Sequence, residues 1–382
     1  MSARRFWLLS IALLCAACGA RTQDDAAQPK GPVTPAAPAK RAPVALTADQ
    51  QNGKELYLRM CAVCHGDNGE GYKADRAPAL RHPDFLASVS DAFLRHSIAQ
   101  GRKGTTMSAW STERGGPLSQ VEIANIRSYL RTWESKPRVQ LDERPLFGDA
   151  QRGESLYLRE CARCHGPRGV SGPFIHLAEL GLMATATNGF LRHAIKVGRS
   201  GTEMAAYDRL GDSAIDDIVI YLRVLEREAV AAQQAAGTPA AQPATPAPLP
   251  LGKIPLNPRG PAPVGFDAYP GTTKADVIFQ QLQRGARMVL MDARAPSDYT
   301  HEHITGAVSV PFYDPSPYFD KLPKDVWLVS YCACPHAESM SLAKKLTDAG
   351  FTKVTVLDEG LGYWKSKSYG THSGADSGTR KK

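Results

Sequence analysis

No pair of cysteines is left over in this chain of 382 residues to form a structural disulfide. Of its 8 cysteines, Cys15 and Cys18 lie in the apolar N-terminal stretch. Cys61, Cys64, Cys161 and Cys164 fall in two Cys-x-x-Cys-His motifs, and Cys332 and Cys334 share the stretch YCACPHAES. A disulfide-built scaffold is therefore excluded even though the chain reads as an exported one. Long hydrophobic runs are missing as well. The run from Phe6 to Leu14 is too short to cross a bilayer as a helix. No basic run interleaved with aromatics occurs, so the net charge of +8 does not point to nucleic acid. Disorder throughout is excluded by an apolar fraction of 43%, enough for real cores.

The stretch MSARRFWLLSIALLCAACGA has two arginines, an apolar run and small residues, the pattern of a secretory signal over residues 1–17. Cys15-Ala16-Ala17-Cys18 resembles a bacterial lipobox, with Cys15 where Leu is usual. The resemblance implies lipidation of Cys18. Ordinary secretion after a nearby cleavage is the alternative. Both place the protein outside the cytoplasm. Residues 18–46 are rich in Pro and Ala, without hydrophobic period, and read as a tether. A second Pro/Ala-rich linker is expected over 229–264, reaching on the order of 100 Å if extended, so that the C-terminal unit can move widely on it.

Between the tethers the chain repeats itself. GKELYLRMCAVCHGDNGEG matches GESLYLRECARCHGPRGVSG, FLRHSIAQGRKGTTMSAW matches FLRHAIKVGRSGTEMAAY, and IRSYLRTWE matches IVIYLRVLE. Order and spacing recur at nearly 100 residues, so this is a duplicated domain. Each copy opens and closes on a helical pattern. Thr47 with Gln50 reads as a capping box ahead of Gly53, Leu56, Tyr57 and Met60, and Ser119 with Glu122 caps the closing helix. Ser213 with Asp216 is expected to do the same in the second copy. Strand signals are nearly absent, which predicts two small all-α domains over 47–135 and 145–228.

Cys-x-x-Cys-His at Cys61–His65 and Cys161–His165 is the arrangement in which two thiols add to haem vinyl groups and the adjacent His becomes the proximal iron ligand. Met107 and Met204, at matching places in Gly-rich loops, are the candidates for the sixth ligand. The rivals are His96 and His193, also matched between copies and read as helix-surface or packing residues. With these residues in place, both copies resemble class I cytochrome c domains. The resemblance implies two covalently bound haem c groups, crossing first and last helices, and a proline carbonyl that orients each haem histidine. Pro78 suits that role, while Pro173 is spaced differently.

Residues 265–369 change texture, ahead of a tail over 370–382. MVLMD, AVSVP, VWLVSY and VTVLD read as buried strands alternating with TKADVIFQQLQ and SMSLAKKLTDAG, the pattern of an α/β unit with a parallel sheet. DAR (Asp292–Arg294), DYTHEHITGAVSVP, a cysteine directly after WLVSY and GFTKVTVLDEGLGYW together resemble a rhodanese domain. That resemblance makes Cys332 the persulfide-forming nucleophile, cradled by loop amides ahead of a helix expected to start at Ser339. Cys334 is a possible resolving partner. Glu338 stands where phosphatase-like relatives carry arginine, so a carboxylate is expected there to repel oxyanions.

The combined expectation is an exported dihaem cytochrome on the periplasmic side of a bacterial envelope, passing electrons to respiratory or sulfur-oxidation partners. Its rhodanese-like domain would act as a sulfurtransferase or in a sulfur dehydrogenase. The alternative is a pure electron carrier whose third domain docks or senses.

Overall fold

The computed structural model describes residues 45–74, 76–102, 105–170, 172–235, 256–333 and 336–378. The signal, Cys18 and Cys334 lie outside the described residues.

The first helical unit contains α1 (Ala48–Met60), α2 (Ala62–His65), α3 (Pro83–Ser88), α4 (Asp91–Gln100) and α5 (Gln120–Arg131). The second repeats the plan with α6 (Ala150–Glu160), α7 (Ala162–His165), α8 (Leu180–Met183), α9 (Asn188–Val197) and α10 (Asp212–Ala235). Both capping boxes expected in the first copy form, at Thr47/Gln50 and Ser119/Glu122. The faces they introduce bury Leu56, Tyr57 and Met60 on α1 and Ile123, Ile126, Tyr129 and Leu130 on α5. Each such aliphatic or aromatic side chain stabilises the fold by about 1.5–3 kcal/mol.

The first and last helices of each copy cross at a glycine. A Cβ on Gly53 would stand 2.0 Å from the Asn125 carbonyl oxygen, and one on Gly153 would stand 2.0 Å from that of Asp217. No side chain fits where two backbones meet this closely.

Two expectations about the second copy are corrected. Asp216 does not cap α10. It is buried and accepts from Arg144 Nη1 at 2.7 Å and Arg192 Nε at 2.6 Å, pairing two cations inside the fold. The neighbouring Asp217 meanwhile accepts from Arg152 and from the Asp149 backbone. In addition, α10 runs on to Ala235, into the range read as linker. The segment EAVAAQQA is alanine-rich, and alanine is the strongest helix former, so a composition read as tether continues the helix instead.

The third unit holds a five-stranded all-parallel sheet in the order β1-β6-β5-β2-β4, the fold class expected for it. Its strands are β1 (Thr272–Thr273), β2 (Met288–Asp292), β4 (Val308–Ser309), β5 (Trp327–Tyr331) and β6 (Val354–Leu357). A small antiparallel pair, β3 (His303–Ile304) with β7 (Thr371–His372), lies beside it. Helices α11 (Ala275–Gln283) and α14 (Gly360–Ser366) cover one face, where Leu290, Val329 and Tyr331 meet Ile278 and Trp364. On the other face Val289, Met291 and Leu328 pack with Leu342 and Leu346 of α13 (Ala337–Asp348). Alternate residues of one strand thus serve opposite layers. Helix α12 (Pro296–His301) comes directly after β2.

The third unit packs against the first, although the linker expectation left it room to move. Leu256 pairs with Met288, and Arg287 N donates to Pro261 O at 2.8 Å, so the end of the presumed linker belongs to the third unit. Helix α13 packs on α2, and Trp110 meets Tyr313 with ring centroids 5.6 Å apart.

Candidate haem-binding and sulfur sites

Both helical copies build the same site from the same parts. The last turn of α1 delivers Cys61, and α2 carries Cys64 and His65. His65 Nδ1 lies 2.9 Å from Pro78 O. A carbonyl only accepts, so Nδ1 carries the hydrogen and Nε2 keeps the lone pair a metal needs. Burial, with the Arg102 charge beyond it, pushes the imidazole down to about 4 against the opposing bond to Pro78. The histidine is therefore neutral. In the second copy His165 Nδ1 reaches Ile175 O at 2.9 Å. The proline carbonyl expected there is replaced by another residue's carbonyl, because the role needs only a backbone oxygen. Tyr57 OH and Tyr157 OH donate to Gly66 O (2.6 Å) and Gly166 O (2.9 Å), tying each motif's exit to the helix before it.

The Met loops are also duplicates. Gly101 and Gly198 hold φ of 65° and 68°, and a Cβ on either would stand 2.5 Å from Met107 O or Met204 O. Arg102 N donates to Met107 O at 2.9 Å and Arg199 N to Met204 O at 2.8 Å, closing both loops alike.

Cys61, His65 and Met107 of the first copy and Cys161, Cys164, His165 and Met204 of the second line a single cavity of about 2030 Å³, open mouth included. Phe93 and Phe190, one from each copy, pack against each other in its lining with centroids 5.4 Å apart. Asp84 links the copies by accepting from Ser200 N (2.8 Å) and Ser200 Oγ (2.7 Å). Burial works against the ionised form of Asp84, but Lys136 and Ser200 hold its carboxyl well below the usual range. His96 and His193 are not among the residues lining the cavity.

Sequence reading missed Arg102 and Arg199, both lining the cavity. Arg102 sits over the Phe93 ring, and its Nη1 is buried without a hydrogen-bond partner, 3.5 Å from Glu179 Oε2. Glu179 already pairs with this cation but takes no hydrogen bond from Nη1, so the N–H can still donate to a further anion in the cavity. A haem propionate is such an anion, so the residues present fit the group. The Gly-Arg repeated ahead of both methionines was the signal available.

In the third unit Cys332 stands at the end of β5, 1% exposed, with its Sγ 3.3 Å from Ser339 Oγ. Helix α13 begins at Ala337, two residues before the expected Ser339, because His336 adopts φ 76° and anchors its Nε2 2.7 Å from Asp358 O. Ser339 thus lies in the first turn. Arg294 of the DAR motif is engaged, donating to Asp292 (2.9 and 2.6 Å) and to Glu302 O, while Tyr331 OH also donates to Asp292 at 2.9 Å. Glu338 is buried, and burial first, then the Cys332 charge, hold its carboxyl well above the ordinary value. Burial thus disfavours the ionised form of the carboxylate expected to repel oxyanions.

The family model described as cytochrome c oxidase, cbb3-type, subunit III matches residues 48–130 and 148–222. The model of the rhodanese-like domain matches residues 277–367. The chain is thus built of two cytochrome c domains and one rhodanese-like domain. A cbb3-type cytochrome c oxidase subunit FixP of Bradyrhizobium diazoefficiens is 25% identical over 191 residues, covering 48% of this chain and 63% of its own length. A thiosulfate dehydrogenase of Stutzerimonas stutzeri is 28% identical over 120 residues, 28% of this chain and 34% of that protein. The rhodanese-like domain structure from Anabaena is 28% identical, covers 29% of this chain and 85% of its own, and has a TM-score of 0.26. The chain spans about three-fifths of the length of the cbb3-type relatives, 63% and 61% of the first two. No helix among the described residues is long and apolar enough to cross a membrane.

Proposed function

We propose that this cytochrome carries two haem c groups, attached through Cys61/Cys64 and Cys161/Cys164, and relays electrons in the bacterial cell envelope. His65 with Met107 and His165 with Met204 would hold the two irons in this reading. The observation that carries it is the single cavity walled by both histidines, both methionines and both cavity arginines. When bound, haem supplies a one-electron ferric/ferrous couple, and thioether ligation keeps that couple at fairly high potential. The chain's own part is to orient His65 and His165 through Pro78 and Ile175, to close the Met loops, and to exclude water with Phe93 and Phe190. Respiratory partners are supported by the oxidase and bc1 relatives, and the envelope location by the leader sequence. The mass of the purified chain tests the count, two haems being expected. A mass showing one haem or none would refute it. Mass spectrometry of the mature N terminus tests anchoring, with diacylglycerol on Cys18 expected and an unmodified terminus elsewhere counting against it.

The rhodanese-like domain, in the same reading, accepts sulfane sulfur at Cys332. Its thiolate attacks the outer sulfur of a donor such as thiosulfate. One S–S bond forms on Cys332, the donor's S–S bond breaks, and sulfite leaves with the electron pair. Helix α13 favours the anionic product through its positive end, with Ser339 Oγ beside the sulfur. Cys334 is the candidate that takes the sulfur onward. Thiosulfate should add one sulfur atom to the Cys332 peptide and none in Cys332→Ser. An adduct that survives Cys332→Ser but vanishes in Cys334→Ser reverses the assignment. No adduct at all leaves the domain a docking or sensing module on an electron carrier.

A further inference from the structure

Each Met loop is the other's control. The two loops share their closing bonds: Thr105 Oγ1 and Thr202 Oγ1 donate to Arg102 O and Arg199 O and accept from Met107 N and Met204 N. The copies differ in sequence at Lys103/Ser200 and Thr106/Glu203 within the loop, where Ser200 meets Asp84, and again directly after the methionine. Ser108 stands where the second copy has Ala205, and Trp110 where it has Tyr207.

Those differing residues after the methionine are the ones the rhodanese-like domain touches. Ser108 is 3% exposed and donates from Oγ to Asp298 Oδ2 at 2.5 Å. Ser297 Oγ donates to Ala109 O at 2.8 Å. The Trp110 ring packs on Tyr313. In the second copy Ala205 is exposed, and Tyr207 turns inward to donate to Glu160 O of its own domain. The other side of the first site is braced as well, since α13 packs on the turn that bears Cys64 and His65.

We propose that Ser297 and Asp298 are positioning residues for Met107, and that of the two haem sites the first alone answers to the rhodanese-like domain. Two hydrogen bonds, one to the side chain directly after Met107 and one to the next carbonyl, clamp the loop from outside the cavity. They fix where its thioether sits. The domain bearing the sulfur site thereby becomes part of the wall of the first haem site. This rests on the reading of Met107 as an axial ligand.

The test is a redox titration of the full-length holoprotein, with the long-wavelength sulfur-to-iron absorption recorded alongside. Met107→His identifies the first haem by the potential it lowers. Ser108→Ala and Ser297→Ala should lower that same potential and weaken that same share of the absorption, leaving the second haem unmoved. Asp298→Ala should do likewise, and Asp298→Asn, which keeps an acceptor oxygen, should restore the wild-type value. Ala205→Ser should move neither haem. If Asp298→Ala fails to fold, the two serine variants decide alone, each trimming one hydroxyl. Unchanged potentials in both serine variants, with Met107→His shifting one haem, would overturn the inference while leaving the axial reading intact. If Met107→His itself shifts nothing, the axial reading falls and takes the inference with it. A shift confined to the second haem also refutes it.

Discussion

Gly53→Ala and Gly362→Ala are the same chemical change, and they are expected to move stability in opposite directions. Both glycines lie inside helices, where alanine gains about 0.8–1.0 kcal/mol over glycine. At Gly362 in α14 the new methyl meets no heavy atom within 4 Å, so the gain is realised in full. At Gly53 the methyl would stand 2.0 Å from Asn125 O, and carbon and oxygen in contact need roughly 3.3 Å. The obstacle is backbone on the facing helix, so no rotamer change relieves it. Helices α1 and α5 must part by on the order of 1 Å, loosening Leu56, Tyr57, Ile126 and Tyr129. Overpacking of this kind costs about 1–3 kcal/mol and the helix gain offsets about 1 of it, so Gly53→Ala should lose up to about 2 kcal/mol net. That corresponds to a fall of up to roughly 8 °C for a unit of this size. Calorimetry on the holoprotein, with the haem absorbance marking the cytochrome transition, separates the two units. The haem-linked transition should fall in Gly53→Ala, and the other should rise in Gly362→Ala. A Gly53→Ala protein melting with or above wild type would refute the reasoning, because the close crossing would then carry no energy.

Met107→His and Met204→His should each lower the potential of one haem, since imidazole favours ferric iron relative to a thioether; one redox titration per variant checks this. Arg102→Met and Arg199→Met remove a buried cation from the cavity wall and should each lower one potential, read in the same way. Glu338→Gln should be tolerated, and its advantage over wild type should grow with pH. The folded carboxyl keeps its proton above the ordinary value of 4.5, where the unfolded chain releases it, so wild-type stability declines as pH rises from there through the raised pKa. Below about 4.5 the two proteins should unfold alike; a pH series of unfolding midpoints with a constant difference would count against a buried neutral acid.

Much of this architecture could be read from the sequence because the signals were local and repeated. The Cys-x-x-Cys-His motifs, the caps at Thr47 and Ser119 and the β-branched runs of the third unit each need only neighbours along the chain. What escaped depended on partners far away in sequence or on atoms that carry no residue identity. The carbonyl that orients His165 belongs to Ile175, and any residue can offer a carbonyl. Asp216 resembled a capping residue because its true partners, Arg144 and Arg192, lie 72 and 24 positions away. Arg102 and Arg199 were visible only as letters shared by two loops, and their meaning came from the cavity they line. The seating of the third unit rests on contacts such as Ser108 with Asp298, 190 positions apart, which no window along the chain contains.

Gene duplication ordinarily yields two spare units, each free to drift, be lost or be exchanged without disturbing its twin. The shared cavity removes that freedom. Phe93 and Phe190 are each a wall of the other's compartment, and Asp84 of one copy holds the backbone of Ser200 in the other. A substitution that suits one half reshapes the other, so the halves can change only as a pair. Grafting a single half onto a foreign partner would carry an open, greasy flank with it. The functional building block of this cytochrome is thus the doubled unit, although the sequence repeats at half that length.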